Sequence, residues 1–489
     1  MKNISAERNL TLLMDFYELT MAAGYFEKGY EDKNGVFDMF FRSIPDDGGF
    51  AIMAGLQQFM EVVDNLHFDD GDIDYLRSKG CFGEEFLTYL RNFTWHCNVW
   101  AVEEGTPIFP GEPIVIVEGP AIEAQLIETS LLVTINHQSL ICTKANRMVR
   151  AAKGRPIMEF GSRRAQGYDA AILGARAAYI GGVVGTACVI ADRLYGIPAL
   201  GTMAHSWVQM FDSEYEAFKH YAELYPNNCT LLVDTYSVVH SGVPNAIRVF
   251  DEVLKPMGIR PKGVRIDSGD IAYLSKKARK LLDAAGYEDV GICASNSLDE
   301  YLVRELLLQD AKVDSFGIGE NLITSKSAPV FGGVYKLAAV KKEDGTYIPK
   351  MKLSETAAKM TVPHLKNLYR IYDNETGKAM ADYITMYNEE VDVANGITIF
   401  DPVETWKSRT FTNVHVKKLN VPMYVNGKRV YQTPKLNDIK QHCAQQVEML
   451  WDEVKRFEYP HKYYVDLSQQ LWDERQALLT ELGKLKSKG

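Results

Sequence analysis

The chain has 489 residues, 46% hydrophobic and 24% charged, so it can bury a large core in two or three domains and is not disordered. Its 54 Lys and Arg against 64 Asp and Glu give a net charge of −10, which excludes a general nucleic-acid binder but leaves room for a local basic pocket. The longest uncharged, apolar-leaning run, 177–191, falls short of the ~20 residues of a bilayer span and is broken by glycines, so no membrane-spanning helix is predicted.

The first eight residues, Met1-Lys-Asn-Ile-Ser-Ala-Glu-Arg8, lack an apolar signal core. Residues 10–25 have a helical period, 35–41 read as a strand, and 99–118 are strand-like with Gly105, Pro107, Pro110, Gly111 and Pro113 as punctuation. Residues 121–152 turn helical and end in Arg147, Arg150 and Lys153, cations suited to a helix C-terminus. From Arg155 short apolar strands alternate with helices. Strands are predicted over 156–160, 199–203, 230–234, 263–266, 290–294 and 314–318, with helical patterns over 243–255, 271–285 and 298–308. Such alternation needs crossovers and therefore a largely parallel sheet, and six strands ending in polar or glycine residues fit a β/α barrel better than an open sheet. After Gly333 the chain is strand-rich and charged to about residue 430, then closes with amphipathic helices over 439–457 and 467–485. No internal repeat interrupts this order, and Lys484 to Gly489 reads as a solvated tail.

The predicted organisation is α/β in three parts: an N-terminal α+β region (1–120), an α/β barrel carrying the site (121–345), and a C-terminal extension (346–489), strand-rich then helical, that packs on the other two. Seven cysteines (Cys81, Cys97, Cys142, Cys188, Cys229, Cys293, Cys443), never in a CxxC pair, predict free thiols, a cytoplasmic location and no structural metal. In a barrel, functional groups gather at the carboxyl ends of strands. Those ends read Gly161-Ser-Arg-Arg, Ala204-His205-Ser, Asp234-Thr-Tyr, Asp267-Ser-Gly-Asp270, Ser295-Asn296 and Gly317-Ile-Gly319, a set that packing does not explain.

Seven phrases in order carry a resemblance: Asp15-Phe-Tyr-Glu-Leu-Thr-Met, Glu159-Phe-Gly-Ser-Arg-Arg-Ala-Gln-Gly, Gly201-Thr-Met-Ala-His-Ser, Val233-Asp-Thr-Tyr-Ser, Ser241-Gly-Val-Pro-Asn, Arg265-Ile-Asp-Ser-Gly-Asp and Gly332-Gly-Val-Tyr-Lys-Leu. Together they resemble the nicotinate phosphoribosyltransferase family from the N-terminus to about residue 340. The resemblance implies a type II phosphoribosyltransferase fold, an irregular α/β barrel beside an open-sandwich domain. It implies transfer of ribose 5-phosphate from phosphoribosyl pyrophosphate to nicotinate in NAD synthesis or salvage. It also implies ATP as co-substrate, Mg²⁺ accompanying phosphoribosyl pyrophosphate and ATP, and a homodimer with shared active sites. No nucleic-acid or membrane partner is expected.

The residues suit that work. A net-negative protein that binds a polyanionic donor must concentrate cations and N–H groups locally, as Arg163, Arg164, Arg265 and the turn at Gly317 and Gly319 would; the bland reading of each Arg is a surface salt bridge. By resemblance Arg163 and Arg265 contact phosphate or carboxylate groups, and Arg164 is the weaker match. By resemblance Asp267 lies at the ribose and its Mg²⁺, where a fixed carboxylate would stabilise positive charge developing at the anomeric carbon. Asp234 ranks lower, Asp270 reads first as a helix N-cap, and Asn296 is left as a cap of the helix opening at Leu298. His205, ordinarily a packed or surface histidine, matches the position that ATP phosphorylates, and imidazole is nucleophilic near neutral pH. Phosphorylation would add negative charge beside the cations and order nearby loops. By resemblance Phe160 and Tyr17 sandwich the nicotinate ring, with Tyr17 delivered across a dimer interface, and Thr202 is a substrate contact; core packing is the alternative for both aromatics.

Two departures stand out. Glu320 takes the place of a small residue such as Thr after Gly319, where a carboxylate would repel the 5′-phosphate unless it points away. The stretch from Gly181 to Ala187 lacks the acid by which the related nicotinamide-using enzyme reads its amide, which favours nicotinate. The competing readings are a nicotinamide or quinolinate acceptor, an inactive nucleotide sensor, and a metal-dependent barrel hydrolase or aldolase using His205, Asp234, Asp267 and Asp270. The last lacks HxH or HExxH spacing.

Overall fold

The strand-helix alternation after Arg155 folds as a parallel sheet. In the computed structural model, which describes residues 8–353 and 360–486, the chain forms two compact units, 141–329 and 1–140 together with 330–489. The fold is mixed α/β. In the first unit the strands stand in the order Gly185–Thr186, Ile157–Glu159, Ser315–Ile318, Gly291–Asn296, Gly263–Ile266, Thr230–Leu232, every neighbouring pair parallel. Five of the six predicted strands occupy this sheet. The sixth, 199–203, contributes only a bridge from Ala199 to Thr186, and the sheet position goes to Gly185–Thr186. A Cβ on Gly185 would lie 2.5 Å from the Pro198 carbonyl oxygen, so only glycine lets these two segments run so close.

The intervening helices supply the crossovers that parallel strands require. Ile271–Ala284 shows why they form. Asp270 caps its first turn, and Ile271, Ala272, Ser275, Ala278 and Leu282 recur at helical spacing on its buried face. That face joins a core with Leu231, Val264 and Ile292, where a fully buried leucine is worth about 1.5–3 kcal/mol. The helix expected from Leu298 begins at Glu300, because Asp299 accepts the Leu302 N–H and caps it. Asn296 therefore is not its cap. It ends the neighbouring strand with φ at 113°, and its Oδ1 accepts the Ser297 N–H.

The second unit interleaves the two ends of the chain. Its seven-stranded antiparallel sheet runs Tyr347–Pro349, Val334–Lys341, Asn34–Phe40, Val115–Pro120, Asn98–Val102, Asn420–Val425, Lys428–Arg429. Residues 334–341, placed by sequence texture with the barrel, thus pair with the N-terminal strand (Val36 with Ala339, Phe37 with Leu337), and 420–425 line up beside Asn98–Val102. A four-stranded sheet, Val414–Lys418, Lys366–Asp373, Ala379–Met386, Val465–Leu467, completes the strand-rich C-terminal part. The helical stretch 121–152 is two helices, Ala121–Gln125 and Glu128–Ala151. All seven cysteines are unpaired, six of them buried. Among the described residues no helix is long and apolar enough to cross a membrane.

Candidate active site

The carboxyl ends of the parallel strands bring most of the expected residues together. Arg265, on Gly263–Ile266, donates from Nη1 to Thr202 Oγ1 at 2.7 Å, while its Nε is buried with no hydrogen-bond partner. Two residues on, Asp267 receives the Ser295 hydroxyl on Oδ1 and holds Oδ2 3.8 Å from His205 Nε2. The opposite ring nitrogen, Nδ1, lies 3.1 Å from Thr235 Oγ1. Asp234 ties this floor down, with Oδ2 accepting the Asp267 N–H at 3.0 Å and the Ser268 hydroxyl at 2.6 Å. Its Oδ1 is buried and unpartnered. An unmet buried donor on Arg265 and an unmet acceptor on Asp234 each cost about 1–3 kcal/mol if nothing binds, so this face is built to receive polar groups.

The aromatic slot begins on the adjacent strand. Gly317 lies inside Ser315–Ile318, and a Cβ there would sit 2.5 Å from two Phe160 ring carbons. Its lack of a side chain makes room for that ring. Gly319 likewise passes close to the Phe160 carbonyl oxygen and precedes the short Glu320–Ile323 helix. Beside Phe160, Glu159 is fully buried and engaged by Thr186 Oγ1 at 2.6 Å and by the Gly161 N–H; burial pushes its carboxyl above the usual range. Arg163, on the turn Ser162–Arg164, is exposed and makes no ion pair or hydrogen bond among the described residues. Arg164 differs, lying 3.7 Å from Glu320. Lys326 takes the other Glu320 oxygen at 2.7 Å and holds its carboxyl below the usual range. The carboxylate that departs from the family pattern is thus matched by two cations.

Asp270 caps Ile271–Ala284 through the Tyr273 N–H at 2.9 Å, which occupies it structurally. Tyr17 belongs to the other unit, on the helix Phe16–Glu27, with 43% of its surface exposed. Burial and a hydrogen bond to Glu128 raise its hydroxyl pKa. That unit also holds a cavity of about 920 Å³ whose lining includes none of the expected residues. Sequence reasoning did not single out Thr235 or Lys326, nor give Ser295 a role. Thr235 and Ser295 sit within strand-end phrases already quoted, where a hydroxyl next to a singled-out Asp or Asn was the available signal; Lys326 had none.

For Mg²⁺, no cluster of three or more His, Cys, Asp or Glu able to hold a metal occurs among the described residues. Mg²⁺ on phosphates is usually held by one or two carboxylates plus substrate oxygens. Asp267, with the unpartnered Oδ1 of Asp234, provides that donor set.

Cations and carboxylates with open hydrogen-bonding capacity, set at the carboxyl ends of a parallel sheet beside an aromatic ring, define an α/β enzyme that handles anionic substrates. Three family models match in chain order: the nicotinate phosphoribosyltransferase N-terminal domain over 12–136, the nicotinate phosphoribosyltransferase family over 156–347, and its C-terminal domain over 365–475. A nicotinate phosphoribosyltransferase of Bacillus subtilis is 42% identical over 97% of this chain and 96% of its own. The nicotinate phosphoribosyltransferase pncB2 of Mycobacterium tuberculosis is 38% identical over 95% and 92%. The crystal structure of human nicotinic acid phosphoribosyltransferase superposes with a TM-score of 0.83 at 29% identity, covering 96% of this chain and all of that one. The chain belongs to the nicotinate phosphoribosyltransferase family.

Proposed function

We propose that this protein is an enzyme that transfers the phosphoribosyl group of phosphoribosyl pyrophosphate to nicotinate, yielding nicotinate mononucleotide and pyrophosphate for NAD synthesis. The observation that carries the reading is the unmet hydrogen-bonding capacity of Arg265 and Asp234 around Asp267, within a chain of this family. Arg265 and the unpaired Arg163 bind the anionic groups of the substrates; a guanidinium grips two oxygens at once. Phe160, seated on Gly317, gives nicotinate a flat apolar face. Asp267 stabilises the positive charge that grows on the ribose as the bond to pyrophosphate breaks. Mg²⁺, held by Asp267 and Asp234 with the donor's oxygens, would offset charge on the leaving pyrophosphate. Glu159, next to Phe160, is buried and hydrogen-bonded to Thr186 and the Gly161 N–H, consistent with an acidic acceptor rather than an amide.

ATP hydrolysis is coupled through His205. The Asp267 carboxylate beside Nε2 favours a proton on that nitrogen, which puts the lone pair that attacks the γ-phosphorus of ATP on Nδ1. The parallel strands close as an irregular barrel, the other unit forms the open sandwich and C-terminal extension, and the enzyme acts in the cytoplasm as a homodimer. Phe16, Tyr17 and Met21, on the helix Phe16–Glu27 and 38–53% exposed, present apolar surface on which a second copy would seat, bringing Tyr17 to its site. The test of coupling is His205→Ala. Nicotinate mononucleotide formation should lose its stimulation by ATP while a residual ATP-independent rate and the fold persist; ATP stimulation at the wild-type level would overturn the role given to His205.

A further inference from the structure

We propose that Thr235 is a positioning residue that holds the His205 imidazole in the tautomer and orientation that accept a phosphoryl group. This rests on the phosphohistidine reading above. Among the described residues two side chains flank the imidazole nitrogens, Thr235 Oγ1 at 3.1 Å from Nδ1 and Asp267 Oδ2 at 3.8 Å from Nε2, and behind Asp267 the Ser295 hydroxyl bonds its Oδ1. Thr235 itself is fixed through its neighbour, since Asp234 is anchored by the Asp267 N–H and the Ser268 hydroxyl. A β-branched side chain on a fixed backbone has few χ1 choices, so its hydroxyl stays aimed.

The hydroxyl can pair with Nδ1 in either direction, as donor or acceptor, and the carboxylate decides which. A negative oxygen near Nε2 favours an N–H there, so Nδ1 carries the lone pair and Thr235 donates to it. The alternative tautomer would turn the Nε2 lone pair towards Asp267, where like charge opposes an incoming triphosphate. In the productive arrangement the Nδ1 lone pair forms the N–P bond, and the bond from Pγ to its bridging oxygen breaks with its electron pair leaving on ADP. The Nε2 proton remains, facing Asp267. The Thr235 hydroxyl, released from Nδ1, then donates to an oxygen of the new phosphoryl group. Water later takes the phosphoryl from Nδ1 and restores the starting hydrogen bond.

Thr235→Val keeps the branched shape and removes the hydroxyl, whereas Thr235→Ser keeps the hydroxyl. With [γ-³²P]ATP, Thr235→Val should incorporate at least tenfold less label into His205 and lose ATP stimulation, with ATP-independent nicotinate mononucleotide formation within twofold of wild type. Thr235→Ser should recover most of the labelling. In ¹⁵N-histidine-labelled protein, with the His205 signal assigned by its loss in His205→Ala, wild type should show Nε2–H and the Val variant a tautomer mixture. Unchanged labelling in Thr235→Val, a Ser variant as defective as Val, or an equal fall in the ATP-independent rate would each overturn the proposal. Wild type that takes no label at all would remove the phosphohistidine reading, and the Thr235 proposal with it as a phosphorylation device. The nitrogen spectra separate that case, because they report the tautomer without ATP.

Discussion

Arg370 and Arg265 both project from strands, yet they meet opposite fates. In the unit that combines the two chain ends, Arg370 is 1% exposed and bidentate to Asp382, at 2.7 and 2.6 Å, with a further bond to the Pro107 carbonyl at 2.8 Å. Lys366 is likewise buried against Asp38 at 2.6 Å. At the ends of the parallel strands, Arg265 has one bond to a neutral hydroxyl and a buried Nε with none, and Arg163 has no partner among the described residues. In this pair, the cation satisfied by a carboxylate of its own chain holds a sheet in register, and the cation at the strand ends is left open to a ligand. In the function proposed above, the difference marks where substrate charge would go in a protein whose net charge is −10.

The comparison breaks most forcefully at Arg370. Arg370→Met would strand the buried Asp382 carboxylate, and urea unfolding should show a loss of about 3–5 kcal/mol. A loss below about 1 kcal/mol would mean the pair is not structural.

Glu18 is a contrasting case, a buried acid with hydrogen-bond donors but no cation partner among the described residues. It accepts from Thr129 and the Asp15 N–H, its Oε2 is unpartnered, and burial pushes its carboxyl up to about 7 from an ordinary 4.5. The folded form therefore holds a proton that the unfolded chain releases. This contribution is full below pH 4.5 and is lost as pH rises through about 7. Glu18→Gln should flatten that part of the stability–pH profile by up to about 3 kcal/mol, at about 1.4 kcal/mol per pKa unit. Parallel profiles for the two proteins would contradict the assignment.

The smallest effect separates two aspartates three residues apart. Asp270→Ala should cost about 1 kcal/mol of stability, the usual value of an N-cap, and leave the KM for phosphoribosyl pyrophosphate unchanged. A large rise in that KM would move Asp270 into the site beside Asp267.

How much of this was legible in the sequence depends on whether the cause was local. Strand 263–266 and the helix after Asp270 follow from an apolar run, a cap and a repeating buried face, all within a few residues, and they appear where the pattern places them. The two-residue strand Gly185–Thr186 does not, because what makes it a strand is the approach of Pro198 to a glycine. Partner choice is equally nonlocal. Nothing in residues 334–341 announces that they will pair with Asn34–Phe40. At the site, residue types revealed Arg265, Asp267 and His205 as a group. The hydroxyls that bond this group, Thr235 to His205, Ser295 to Asp267 and Ser268 to the adjoining Asp234, are too common to stand out. Glu320 looked like a misplaced charge until Lys326 and Arg164 were found against it.

The central claim is that the open cations and carboxylates at the strand ends transfer a phosphoribosyl group to nicotinate. The direct measurement gives the purified protein phosphoribosyl pyrophosphate and Mg²⁺ with nicotinate, nicotinamide or quinolinate, each with and without ATP, and identifies the products. Nicotinate mononucleotide formed from nicotinate alone, faster with ATP, is the predicted result. Product from nicotinamide or quinolinate in preference to nicotinate, or no mononucleotide from any acceptor, would contradict the account.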